Sequence, residues 1–165
     1  MGRRAQPAGE PVAGQRRGRL DGAGLRIGVV ASRFNEPIVT RLLEGVADQL
    51  ERLGVNSRDV VHAGVPGALE IPLALTWLAQ SGRFDALVAV GVVIRGETYH
   101  FEVVANESAR GVMDVALQSG LPVANAILTA ENEAQAAARL DKGAEAVRVA
   151  VEMARLRSEL AEHTA

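Results

Sequence analysis

Residues 85–94 read Asp-Ala-Leu-Val-Ala-Val-Gly-Val-Val-Ile. After the opening aspartate no side chain in this run carries a charge or a hydrogen-bonding group, and five of the ten residues are β-branched. A strand that is apolar at every position, and not at every second one, is covered on both faces. Burial of that kind belongs inside a parallel sheet with helices on either side. On either side of this run the sequence alternates in the same sense. Leu25–Ala31 (LRIGVVA) reads as a second buried strand. Asn35 then sits where a helix N-cap belongs, with Pro37 in the first turn. Ile38, Leu42, Leu43, Val46, Leu50 and Leu53 recur at helical spacing before Gly54 stops the helix. A strand over Asp59–Val65 follows, then a Pro66-Gly67 turn and a helix from about Glu70 to Gln80. The loop Arg95–His100 leads into a helix ending near Gly120. A fourth strand covers Pro122–Thr129, and two further helices cover Glu131–Leu140 and Gly143–Leu160.

Strands alternating with helices predict βαβ units and a three-layer α/β/α fold around a mainly parallel, four-stranded sheet. Ligands of such sheets bind beyond the carboxyl ends of the strands. Four loops are therefore singled out: Ser32–Pro37, Pro66–Glu70, Arg95–His100 and the segment after Thr129.

Composition narrows the function. A chain of 165 residues with 48% apolar content can build one core, which must be aliphatic because aromatics make up only 3%. Cysteine is absent, which excludes disulfides and thiolate zinc sites. No apolar run approaches a membrane span, and the basic N-terminus lacks the apolar core of a signal peptide. A cytoplasmic protein is expected. Residues 1–24 carry five arginines against Glu10 and Asp21, a net of +3, which leaves −5 for the remainder of a chain whose total is −2. This segment is rich in Gly and Pro without a hydrophobic period, and is read as a flexible tail. No aromatics are interleaved with its arginines, so nucleic acid is not the favoured partner. The expected organisation is a tail over 1–24, one domain over 25–160 and a short tail over 161–165.

Several motifs fall away on chemistry. Gly91–Thr98 (GVVIRGET) has P-loop glycine spacing but carries Glu97 where the lysine belongs. No G-x-G-x-x-G follows the first strand. His100-Phe101-Glu102 matches half of a zinc deaminase motif whose cysteine half cannot exist here. His62 and His163 are read as ordinary structural or surface residues, and Trp77, at helical spacing from Leu73, as core. Glu145, Arg148, Glu152 and Arg155 are read as a solvated, ion-paired face.

What remains is polar residues at strand ends. Arg95–His100 joins a buried strand to a helix, and helix N-termini present free N–H groups to anions. Gly96 permits close backbone approach, and Thr98 adds a hydroxyl. His100 is the only histidine in such a loop, and imidazole suits proton transfer near neutrality. The alternative is a Thr98 helix cap beside a surface histidine. Phe34 either packs or stacks on a planar ring, and on the residues alone packing is favoured. Glu70 either accepts hydrogen bonds from hydroxyls or opens its helix. Arg139 and Lys142 read as surface charges.

Four segments, Ser32–Asn35 (SRFN), Gly64–Pro72 (GVPGALEIP), Gly91–Val103 (GVVIRGETYHFEV) and Asn125–Asn132 (NAILTAEN), resemble those of the lumazine synthase family in order and spacing, over about residues 24–158. The resemblance implies a flavodoxin-like fold and a step of riboflavin biosynthesis without metal or organic cofactor. The family condenses 5-amino-6-(D-ribitylamino)uracil with 3,4-dihydroxy-2-butanone 4-phosphate to give 6,7-dimethyl-8-ribityllumazine, phosphate and water. It further implies that Phe34 stacks on the pyrimidine, that Ala68 and Glu70 contact the ring and ribityl chain, and that Val92, Val93 and Ile94 line the pocket. Gly96, Glu97 and Thr98 would hold phosphate, and His100 would shuttle protons. Arg139 and Lys142 would reach the site of an adjacent subunit in a homopentamer, or in a shell of 60 subunits. Asn125 stands where many members carry an aromatic that closes over the ring. The link from Arg139 to Lys142 is shorter than in many members. A non-catalytic flavin- or lumazine-binding module and a shell-forming protein without turnover are the alternatives. A binder would tolerate loss of His100, whereas an enzyme would not.

Overall fold

A computed structural model of the chain describes residues 13–164. Its four strands are β1 (Ile27–Ser32), β2 (Val60–Val65), β3 (Ala86–Ile94) and β4 (Val123–Ala130). They form one sheet in the order β2-β1-β3-β4, and every pairing is parallel. The helices are α1 (Glu36–Arg52), α2 (Ile71–Gln80), α3 (His100–Ser119), α4 (Glu133–Ala137) and α5 (Asp141–Thr164). The three-layer architecture expected from the sequence is the one observed.

Each face of the sheet carries its own core. Val29, Val88, Val90 and Ala126 pack with Leu42, Val46, Val147 and Val151 of α1 and α5. Val30, Leu87, Ala89 and Val93 pack with Ile71, Leu75, Val112 and Val115 of α2 and α3. β3 feeds both layers, so no position from Ala86 to Val93 could be polar. β2 is an edge strand and is mostly uncovered, with His62 exposed on it.

Several expectations require correction. Trp77 is 62% exposed and not core. The buried stripe of α2 is Ile71, Ala74 and Leu75; Leu73, which shares a face with Trp77 four residues on, is itself exposed. Asn35 occupies the N-cap position of α1 but makes no capping bond through its side chain. The helix expected over Glu131–Leu140 is only the short α4. Asn132 starts it, its Oδ1 accepting from Gln135 N at 2.9 Å. α5 begins at Asp141, ahead of Gly143, and runs to Thr164, so residues 161–164 are helix and no tail. Gly143 is instead a crossing point. A Cβ there would lie 2.5 Å from the Leu42 carbonyl oxygen of α1.

The ion-paired face expected on α5 also differs. Glu145 pairs with Lys142, and Arg155 donates to the carbonyls of Asp21 and Ala23 at 2.7 and 2.6 Å. Gly18 is buried against α5, where a Cβ would collide with the Glu152 carbonyl at 1.8 Å. Gly22 N donates to Leu53 O at 2.7 Å. Residues 18–24 are thus strapped to the domain, while residues 1–12 of the expected tail lie outside the described residues. Among the described residues no helix is long and apolar enough to cross a membrane.

Candidate active site

The chain leaves β1 toward β2 on one side and returns to β3 on the other. The loops after β1 and β3 therefore diverge, and a crevice opens between them at the carboxyl edge of the sheet. A cleft of about 380 Å³ lies there, walled by three segments. Phe34 and Asn35 come from the β1–α1 loop, Gly67–Glu70 from the turn before α2, and Val92, Val93 and Ile94 from the end of β3, with His100 and Val104 of α3 closing the side. Seven of the residues singled out from sequence meet in it: Phe34, Ala68, Glu70, Val92, Val93, Ile94 and His100.

Local chemistry fixes each wall. Asn35 adopts a left-handed backbone (φ 58°), the one residue other than glycine to do so among those described. Asparagine tolerates this region better than most side chains. Its Nδ2 donates to Val92 O at 3.1 Å, which ties the β1 loop to the end of β3. Its side chain therefore does not cap α1. Phe34 N lies 3.3 Å from Pro66 O, and the ring rests against Gly67, where a Cβ would come within 3.2 Å. The ring is 69% exposed, so Phe34 is not a core residue. Glu70 accepts from Gly67 N at 2.8 Å through Oε2, which closes the 3-10 turn Ala68–Glu70 and sets the carboxylate in the cleft wall. A rigid apolar floor, an aromatic face and one carboxylate suit a planar heterocycle with polar substituents.

Gly96, Glu97 and Thr98, in the loop from β3 to α3, are exposed and do not line the cleft. The space a Cβ would take at Gly96 is empty, and Thr98 Oγ1 accepts from His100 N at a long 3.4 Å. Arg95 begins this loop. It donates through Nε to Glu131 at 2.7 Å and through Nη1 to Glu102, and its guanidinium lies over the Phe101 ring at 4.3 Å. The hydrogen bond from Arg95 holds the Glu102 carboxyl below its usual range, and Arg95 is raised by the same bond.

Three residues singled out from sequence lie elsewhere. Asn125 lines a smaller cleft with Ala105, Asn106, Ser108, Ala109, Ile127 and Thr129, beside the free edge of β4. Its Oδ1 accepts from Ile127 N at 2.8 Å, covering an otherwise open edge amide. Arg139 donates to Gln135 O at 2.7 Å, and Lys142 pairs with Glu145 at 2.5 Å, a contact that raises the lysine above its ordinary value. Neither lines the cleft of its own chain. Sequence reasoning missed Asn35, Gly67, Leu69 and Val104 as wall residues. Asn35 had a signal, since asparagine in a strand-to-helix loop is a frequent carrier of left-handed backbone.

Residues 24–158 match the 6,7-dimethyl-8-ribityllumazine synthase family. The chain belongs to that family. Relatives bearing the name 6,7-dimethyl-8-ribityllumazine synthase include one from Paraburkholderia phymatum, 61% identical over 144 residues, covering 87% of this chain and 84% of the relative. One from Burkholderia vietnamiensis is 60% identical, over 87% and 85% of the two chains. One from Burkholderia ambifaria is 60% identical, over 87% and 84%. Membership makes the protein a transferase of riboflavin biosynthesis.

Proposed function

We propose that the cleft binds 5-amino-6-(D-ribitylamino)uracil and 3,4-dihydroxy-2-butanone 4-phosphate and joins them into 6,7-dimethyl-8-ribityllumazine, releasing phosphate and water. The observation that carries this reading is the convergence of Phe34, Ala68, Glu70, Val92–Ile94 and His100 from separated segments on one crevice. The pyrimidine stacks on the open face of Phe34, while backbone groups of Val92, Val93 and Ile94 receive its edge. Glu70 accepts hydrogen bonds from the ribityl hydroxyls. The phosphate sits at the Gly96–Thr98 loop, where N–H groups ahead of α3 and the Thr98 hydroxyl meet it.

The condensation needs protons moved at one small centre. The ring amine attacks the ketone and water leaves to form an imine. Phosphate is then eliminated, and ring closure expels a second water. His100, at the cleft wall beside the phosphate loop, takes and returns protons for these steps. Departing phosphate is held by charge, a role that suits a bidentate arginine. Holding two substrates side by side supplies much of the remaining acceleration.

Arg139 and Lys142 point to assembly. Both lie outside the cleft of their own chain, as does Asn125, and in this reading all three serve the site of the next subunit, Asn125 facing the ring bound there. A contact of this head-to-tail kind closes into a ring. The ring proposed here is a homopentamer, with a 60-subunit shell as its larger form. Exposed Leu73, Trp77, Met113 and Leu117 on α2 and α3 supply apolar surface for such contacts. The protein is proposed to work in the cytoplasm. The test is to mix purified protein with the two substrates and follow lumazine fluorescence and phosphate release together. Appearance of both in equal amounts is expected. Binding of the pyrimidine without either product would make this chain a non-catalytic binder.

A further inference from the structure

Arg95 is the cation nearest the proposed phosphate loop in sequence, and two roles are open to it. It could reach the phosphate, or it could hold the loop for others to do so. Its contacts decide between these. The backbone N of Arg95 donates to Ala130 O at 2.9 Å, joining the end of β3 to the end of β4. The side chain then spans two segments at once: Nε to Glu131 after β4, and Nη1 to Glu102 in the first turn of α3. Phe101 covers one face of the guanidinium. An arginine between two carboxylates forms a cluster of net charge −1, which repels phosphate. A ligand arginine is left uncompensated until the anion arrives.

The same contacts close a loop. Residues 96–100 run out from Arg95 and return to Phe101 and Glu102, which Arg95 itself holds. The five-residue excursion is therefore pinned at its two ends by one side chain. Within it the contacts are long: Thr98 Oγ1 accepts from His100 N at 3.4 Å, and Tyr99 O accepts from Val103 N at 3.4 Å. A loop ordered beforehand costs less to order on binding.

We propose that Arg95 is a positioning residue. By gripping Glu102 and Glu131 together, it fixes the Gly96–Thr98 loop in the shape that receives the substrate's phosphate and sets His100 at the cleft. This rests on the reading of that loop as the phosphate holder. Exposed ion pairs contribute little to global stability, so the clamp acts on substrate affinity more than on folding.

The test measures KM for each substrate, kcat and Tm in the assembled protein for Arg95→Gln, Arg95→Lys, Glu131→Gln and Thr98→Val. Arg95→Gln raises KM for the phosphorylated butanone by about ten-fold, equivalent to ordering one or two extra side chains on binding, and leaves KM for the pyrimidine nearly unchanged. Arg95→Lys restores part of the loss, because a point cation meets one carboxylate but cannot span both. Glu131→Gln, on an exposed side chain that no core depends on, shifts KM in the same direction as Arg95→Gln. That sign is decisive. If Arg95 were a phosphate ligand, releasing it from Glu131 would lower KM, and the positioning role would be overturned. Equal rises in both KM values with a large fall in Tm would likewise overturn it in favour of general loosening. Thr98→Val separates the two levels. If it raises the phosphate KM while Arg95→Gln and Glu131→Gln do not, the loop reading stands and the clamp falls. If Thr98→Val leaves that KM unmoved, the loop reading falls and takes the clamp with it.

Discussion

Three side chains in the cleft make separable predictions. His100→Ala removes a proton carrier and leaves the binding walls in place. The expected result is a fall in kcat, up to the 10²–10⁴-fold typical of general acid–base groups, about 100-fold being the working figure, with both KM values little changed in steady-state assays. Phe34→Ala removes a stacking face from an exposed ring, so it weakens the pyrimidine by about 1–3 kcal/mol and spares the phosphorylated substrate; direct titration of each substrate measures this. Asn35 combines left-handed backbone with a tie to Val92. Asn35→Gly keeps the first and loses the second, whereas Asn35→Ala loses both. Asn35→Ala is therefore expected to cost about 1 kcal/mol more than Asn35→Gly in denaturant unfolding. The loops that wall the cleft were legible because they follow strand ends, whereas Val92, Val93 and Ile94 came only with the family resemblance. Phe34 shows the limit. On the residues alone packing was favoured for it, and only the loop's path past Pro66 and Gly67 leaves the ring open.

At the scale of elements, periodicity found the helices but could not choose their inward face. Leu73 and Trp77 are correctly spaced, yet the sheet takes Ile71, Ala74 and Leu75 instead. β3 was legible outright, because a strand covered on both faces has no polar positions to misassign. Gly143 was read as a helix boundary, since a glycine that permits a close crossing looks no different in sequence from one that starts a helix. Gly143→Ala brings a methyl group 2.5 Å from the Leu42 carbonyl. Overpacking of about 1–3 kcal/mol is expected to outweigh the roughly 1 kcal/mol gained from helix propensity, so the variant melts earlier than the parent. The Arg95 clamp gives a pH signature. The hydrogen bond from Arg95 lowers the Glu102 carboxyl below its ordinary 4.5 in the folded protein. A carboxyl lowered in this way stabilises the fold above its unfolded value, and the contribution is lost as pH falls through the folded one. Because the pair is exposed, the Tm gap between parent and Glu102→Gln should be small; it should persist above pH 4.5 and close below it.

For the whole molecule the central claim is that one chain holds an incomplete site. Phe34, Glu70 and His100 share the cleft of a single chain, while Arg139 and Lys142 are spent on Gln135 and Glu145 of their own helical segments. The family resemblance implied both sets of residues and placed them on different subunits; residue pattern alone read Arg139 and Lys142 only as surface charges. Distance between two loops depends on strand order, which local pattern does not encode. Complementation tests the shared site most directly. His100→Ala and Arg139→Ala chains, each nearly inactive alone, are denatured, mixed and reassembled, and lumazine formation is measured against each parent treated alone. Mixed rings contain some interfaces at which an intact cleft meets an intact Arg139, so activity should rise well above both parents. Mixed rings as inactive as their parents would show that each subunit carries its whole site, contradicting the shared one.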